Sequence, residues 1–177
     1  MPERVHQARV VVVRHGPAEV RDPARWPDDR LRPLSEDGAR QTRRVAAALG
    51  ELLGKASFVA SGPALRTRRT AELIGRALDP PRRVALWPEL DLGGPADAIL
   101  GRLARSLHGS AQGVVVGHDP VLAELIGLAL TGDGVALARL TKGGAACVEF
   151  PVAIRPGSGR LLWLLTRKQL AARAARS

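Results

Sequence analysis

The sequence predicts an α/β fold: a three-layer α/β/α sandwich around a mostly parallel sheet, with one antiparallel strand entering near the end. Three observations predict it. Short Val-rich runs alternate with segments whose apolar residues recur at helical spacing, the pattern of repeated βαβ units. The apolar share is 45% and the charged share 25%, the balance of a globular protein and not of a disordered chain. The length, 177 residues, suits one domain spanning 1–177, and a chain of this size buries roughly 70% of the surface its unfolded form exposes.

Residues 8–13 are rich in Val and bounded by charge, as in a strand buried on both faces. A long loop over 17–34 follows, punctuated by Pro17, Pro23, Pro27 and Pro33; ordered loops of that length are often functional. Ser35 suits an N-cap, with Glu36 and Asp37 in the electropositive first turn. Thr42, Val45, Ala46, Leu49, Leu52 and Leu53 then mark one apolar helix face, and Gly54 ends it. Residues 57–61 read as a second strand, 64–78 as a second helix closed by Asp79-Pro80-Pro81, and 82–86 as a weaker strand. A third helix runs from 97 to 107, with Gly109 as its stop. Residues 113–116 form a fourth strand, and a helix starting at Pro120 runs to 130. Residues 145–150 and 160–165 make a hairpin across Pro156-Gly157-Ser158-Gly159. The tail from Lys168 is helical or frayed.

The net charge is +10, which raises the question of nucleic acid. Of the 27 cations, 24 are Arg, spread along the chain beside abundant Ala, Gly and Pro, so a bias of composition accounts for them better than a binding patch. Only Trp26, Trp87, Trp163, Phe58 and Phe150 are aromatic, too few for base-stacking platforms. Nucleic acid is therefore not the expected partner, while attraction of anionic substrates remains. Cys147 is the sole cysteine, so neither an internal disulfide nor a Cys-based metal site can form. Residues 1–4 lack the apolar run of a signal peptide, and no stretch is long enough for a membrane helix. The expectation is a cytoplasmic monomer without membrane contact.

In open α/β sheets, ligands bind beyond the carboxyl ends of the strands. Arg14-His15-Gly16 follows the first strand. Ser61 ends the second, with Arg66 opening the next helix. Gly117-His118-Asp119 follows the fourth. Two His and two Arg from three strand ends thus meet at one edge of one sheet. Such a set suits a phosphoryl group, because planar guanidinium donor pairs match its oxygens. A neutral imidazole can attack phosphorus and become phosphohistidine, while a second imidazole stabilises charge on the oxygens. No metal or other cofactor is needed for that chemistry; zinc on His15 and His118 would lack a third ligand at a recognisable spacing.

These residues carry a family resemblance. "VVVRHGPAE" resembles the Arg-His-Gly signature of the histidine phosphatase superfamily, which includes the phosphoglycerate mutases. "RPLSEDGARQ", "ASGPALRTRRTAEL" and "VVVGHDPVLAELIG" resemble three further segments of that superfamily, in the right order and over most of the chain. The resemblance implies the phosphoglycerate mutase-like fold. It implies that His15 is the nucleophile, that Arg14, Arg66 and His118 complete the phosphate pocket, and that Gly16 helps hold the other ring nitrogen of His15. One residue more than usual separates Ser61 from Arg66; the spacing to Thr70 selects Arg66 over Arg68 and Arg69. The stretch between Leu78 and Gly113 leaves no room for a large cap domain, and the Glu-Arg-x-Tyr-Gly pattern of the mutases is absent.

The small size and the "VVVGHDP" and "RPLSEDG" segments most resemble the SixA-like phosphohistidine phosphatases, which implies a histidine-phosphorylated signalling protein as substrate. A small phosphomonoester is the alternative, and a non-catalytic phosphate-binding adaptor is a third reading from another class. Leaving-group chemistry separates the first two. An imidazole leaves readily, whereas an alkoxide wants a general acid. Glu89, in Trp87-Pro88-Glu89-Leu90, is the candidate acid, with Asp91 behind it; a structural ion pair is the competing reading of Glu89.

Overall fold

The computed structural model describes residues 7–174. Residues 1–4, which enter the expectation about signal peptides, lie outside that range.

The strand β1 (Ala8–Arg14) organises the protein. Val10, Val11, Val12 and Val13 are each at most 1% exposed. Successive strand residues point to opposite faces, and here both faces are covered. Val10 and Val12 pack with Ile99 and Leu103 of α3 (Ala96–Ser106) and with Leu122 and Leu125 of α4 (Val121–Thr131). Val11 and Val13 pack with Val45 and Leu49 of α1 (Glu36–Leu53), Ile74 of α2 (Leu65–Ala77) and Leu170 of α5 (Arg167–Ala174). Burying one such side chain is worth about 1.5–3 kcal/mol, so β1 is anchored from both sides.

Alongside β1 the sheet holds β2 (Phe58–Ser61), β3 (Val84–Leu86), β4 (Gln112–Gly117), β5 (Ala145–Phe150) and β6 (Arg160–Leu165), in the order β3-β2-β4-β1-β5-β6. The pairs β1–β4, β2–β4 and β2–β3 are parallel, while β5 is antiparallel to both β1 and β6. β5 is therefore the one reversed strand. β1 lies between β4 and β5, where the winding of the chain changes direction. The C-terminal ends of β1, β2 and β4 share one edge, the place where this topology puts ligands. Between α2 and β4 the chain forms only β3, a 3-10 turn at Pro88–Leu90 and α3, which is no cap domain.

The local signals act as expected at α1. The Ser35 hydroxyl accepts from the Gly38 amide at 3.0 Å, and Gly54 ends the helix at φ 63°. Pro120 caps α4 from outside instead of opening it. β3 is shorter than the 82–86 expectation, since it is an edge strand that pairs only with Val59, Ala60 and Ser61. The 17–34 loop is ordered: Ala18 bridges Leu34 at its mouth, and a 3-10 turn at Asp29–Leu31 is capped by Asp28. Cys147 is buried within the sheet, as its apolar neighbours suggest.

Candidate active site

The backbone of Arg14 and His15 is clamped from both neighbouring strands. The His15 amide donates to the Gly117 carbonyl at the end of β4 (3.1 Å). From the other side, the Arg14 amide donates to Gly144 (3.0 Å), and the Gly143 amide donates to His15 (2.9 Å). Gly143 has φ 76°, in the left-handed region that disfavours an L side chain, which gives Lys142-Gly143-Gly144 a structural purpose. Gly16 leads the chain away. Its amide donates to Thr70 Oγ1 (3.1 Å), and a Cβ there would collide with Thr42 Oγ1 of α1. Thr70 Oγ1 donates in turn to the Arg66 carbonyl (2.8 Å), linking this turn to α2.

His15 is 6% exposed. Its Nδ1 lies 2.7 Å from the Gly16 carbonyl oxygen, which can only accept. Nδ1 therefore carries the proton, and Nε2 keeps its lone pair. The His118 ring, 2% exposed, stands edge-on to it with centroids 5.0 Å apart. Burial lowers the His15 pKa to about 3; the Gly16 hydrogen bond opposes this, and the charges of His118, Arg66 and Arg14 add to it. Burial and then Arg66 lower the His118 pKa to about 4, against the opposing pull of Asp91 and Asp29. Both rings are neutral at neutral pH.

Helical spacing turns Arg66, Thr67 and Thr70 to the inner face of α2, whereas Arg68 is exposed and Arg69 pairs with Glu72. Arg66 is 2% exposed. Its Nη1 donates to the Asp29 carbonyl (2.6 Å) and its Nη2 to Asp29 Oδ2 (2.8 Å). Asp29 thus holds one edge of the guanidinium and leaves Nε aside. Arg14 donates from Nη1 to the Leu140 carbonyl (2.7 Å), with Asp119 Oδ2 at 3.4 Å. Among the described residues, three buried nitrogens then have no hydrogen-bond partner: Nε of Arg14, Nε of Arg66 and Nε2 of His118. Buried polar nitrogens are nearly always satisfied in folded proteins, and each unmade bond is costly. Three of them on residues that already share one another's electrostatic influence describe a place for an anion.

Glu89 takes the ion-pair arrangement left open by its sequence. Both its oxygens accept from Arg102 of α3, at 3.1 and 2.8 Å, and that guanidinium also stacks on Trp87. The carboxylates acting most strongly on His118 are Asp91, paired with Arg30 at 2.9 Å, and Asp29. Asp29 is the residue that sequence reasoning misses, since nothing in an irregular loop signals a partner 37 positions away. Two roomy clefts lie elsewhere, beside Arg9, Lys55 and Ser57 and between Arg76 of α2 and β3, but neither is lined by a buried polar atom lacking a partner. Among the described residues, no group of three or more His, Cys, Asp or Glu is placed to hold a metal ion, and no helix is long and apolar enough to cross a membrane.

Fold and site define the class: an α/β phosphatase with paired imidazoles at the carboxyl edge of its sheet. Residues 10–94 match the model of the histidine phosphatase superfamily, branch 1. The phosphohistidine phosphatase SixA of Escherichia coli is 30% identical over 119 residues, covering 67% of this chain and 71% of that protein. An uncharacterized protein of Picosynechococcus is 34% identical over 155 residues, or 84% and 85% of the two chains. In fold, the chain matches a tungstate-bound SixA with a TM-score of 0.77 over 92% of this chain and 99% of that one, at 24% identity. It also matches a phosphoserine phosphatase of Entamoeba histolytica, with a TM-score of 0.65 over 92% and 99%, at 16% identity. The chain belongs to the histidine phosphatase superfamily, among its SixA-like members.

Proposed function

We propose that this phosphatase removes the phosphoryl group from phosphohistidine on a signalling protein, through a phosphohistidine intermediate at His15 and without a metal. The observation that carries the reading is the set of three unpartnered buried nitrogens beside a neutral imidazole. Nε2 of His15 attacks phosphorus in line. Arg14, Arg66 and His118 meet the equatorial oxygens, where charge is concentrated in the transition state. The leaving group departs, and water then hydrolyses the phosphohistidine. A low His15 pKa suits this role, because an imidazolium has no lone pair to offer.

The engagement of Glu89 by Arg102 favours a substrate that needs no dedicated acid, and a phosphorylated imidazole is such a substrate. The fold match to a phosphoserine phosphatase keeps a small phosphomonoester as the second reading. Turnover of a phosphorylated histidine-containing transfer domain against a panel of sugar and nucleotide phosphates separates the two; preference for the panel by orders of magnitude would overturn the first. In His15→Ala, turnover falls on the order of 10⁴-fold or more, and transfer of radiolabelled phosphate to the protein stops. Labelling that persists in this variant would refute the nucleophile. EDTA leaves activity unchanged.

A further inference from the structure

Beside the phosphate cluster lies a cavity of about 510 Å³, whose walls include Arg14, Asp119, Pro120, Ala123, Leu137 and Arg139. Arg14 belongs to both spaces. The Asp119 side chain is only 9% exposed, yet its carboxylate is poorly served. Oδ2 has Arg14 Nη1 at 3.4 Å and Arg139 Nε at 3.7 Å, both longer than a good charge-assisted bond. Oδ1 is buried with no donor at all. Its neighbours in the cluster include two orphaned guanidinium donors, but this atom is an orphaned acceptor, and an unprotonated phosphate oxygen cannot satisfy it. The group that can must carry an N–H or O–H and sit next to the phosphoryl position.

We infer that the cavity is the leaving-group subsite and that Asp119 Oδ1 accepts the N–H of a protonated imidazole whose other nitrogen bears the phosphoryl group. The inference rests on the phosphohistidine reading above. Pro120, Ala123 and Leu137 offer apolar surface to the ring. The charged and titratable groups around Asp119 are Arg14 from β1, Arg139 from the segment before β5, and His118 next to it in the chain. The chemistry balances without a proton donor. His15 Nε2 forms a bond to phosphorus, the substrate P–N bond breaks, and its electron pair returns to the ring nitrogen. The proton already on the distal nitrogen stays there, shared with Asp119, and the ring leaves as neutral imidazole. An alkoxide leaving group has no second atom to hold such a proton, so Asp119 gives it no comparable help.

The test compares phosphoimidazole with para-nitrophenyl phosphate across pH, in the wild type and in Asp119→Asn. In the wild type, P–N turnover persists well above the pH near 6.5 where a free imidazole ring titrates. At about pH 8, Asp119→Asn loses on the order of tenfold more kcat/KM on phosphoimidazole than on the aryl ester, and its P–N profile falls back towards the titration of the free substrate. Equal losses on both substrates would reduce Asp119 to a support for Arg14 and overturn the inference, as would no loss on either. If the variant fails to fold, the wild type decides alone: a P–N limb that follows the free substrate's own titration overturns it. A wild type that cleaves the aryl ester and no P–N bond would instead bring down the phosphohistidine reading, a different and recognisable failure.

Discussion

β1 carries an arginine near each end, and their surroundings differ. Arg9, at the amino end, places Nε and Nη2 on Glu149 Oε2 at 3.1 and 3.0 Å, with 46% of its side chain exposed. Water and a carboxylate meet its needs. Arg14, at the carboxyl end, is 17% exposed in its side chain, donates to a backbone carbonyl, and leaves Nε buried without a partner. The residue type and the strand are the same. On the proposed reading, what separates a structural cation from a ligand-binding one is whether the protein itself satisfies it. The same contrast separates Arg102, matched to Glu89, from Arg66, which Asp29 holds by one edge only.

Neutralising the two arginines separately sharpens that contrast. Arg14→Gln and Arg66→Gln should each cost about 10²–10³-fold in kcat/KM, the usual loss when a transition-state donor is removed. Arg9→Gln should stay within about threefold in activity and cost about 1–3 kcal/mol of stability in denaturant titrations, because it leaves the buried Glu149 carboxylate with a weaker partner. A large activity loss in Arg9→Gln would break the distinction.

Asp29→Asn comes next in size. It keeps an acceptor for Arg66 Nη2 and removes the charge, so phosphate should bind a few-fold differently, with kcat less affected than KM. Asp29→Ala frees the guanidinium edge and should lower kcat about tenfold, in line with a lost hydrogen bond to a charged group. Steady-state kinetics on an aryl phosphate reads both; kcat unchanged in Asp29→Ala would mean that Arg66 needs no such orientation.

The remaining readout is stability against pH. Both site histidines titrate lower in the folded protein than the ordinary value of 6.5, at about 3 and about 4. Below 6.5 the unfolded chain binds more protons than the folded one, so the stability present above that pH is lost as pH falls through this window. Tm should decline between about pH 6.5 and pH 4, and less steeply in His15→Ala. An identical slope in that variant would show that His15 is not the source.

The element order and the convergence of strand ends are legible in the sequence because they rest on local signals. A Val run ending in Arg14-His15 and a Val run ending in Gly117-His118 announce both the strands and what lies beyond them. The inward turn of Arg66 follows from helical spacing to Thr70. The rest depends on contacts that periodicity does not encode. Asp29 reaches Arg66 from an irregular loop, and Glu89 meets Arg102 across 13 residues and two elements. Gly143 and Gly144 serve the backbone of β1 from beyond α4. Asp119 stands in plain view beside His118, yet only the structure shows that one of its oxygens has no partner.

Orthovanadate, soaked into crystals or titrated against the protein, addresses the site most directly. The account predicts one vanadium bonded to His15 Nε2, with its equatorial oxygens within hydrogen-bond reach of Arg14 Nε, Arg66 Nε and His118 Nε2. Vanadate bound away from His15, or those three nitrogens still without an oxyanion partner at saturation, would contradict it.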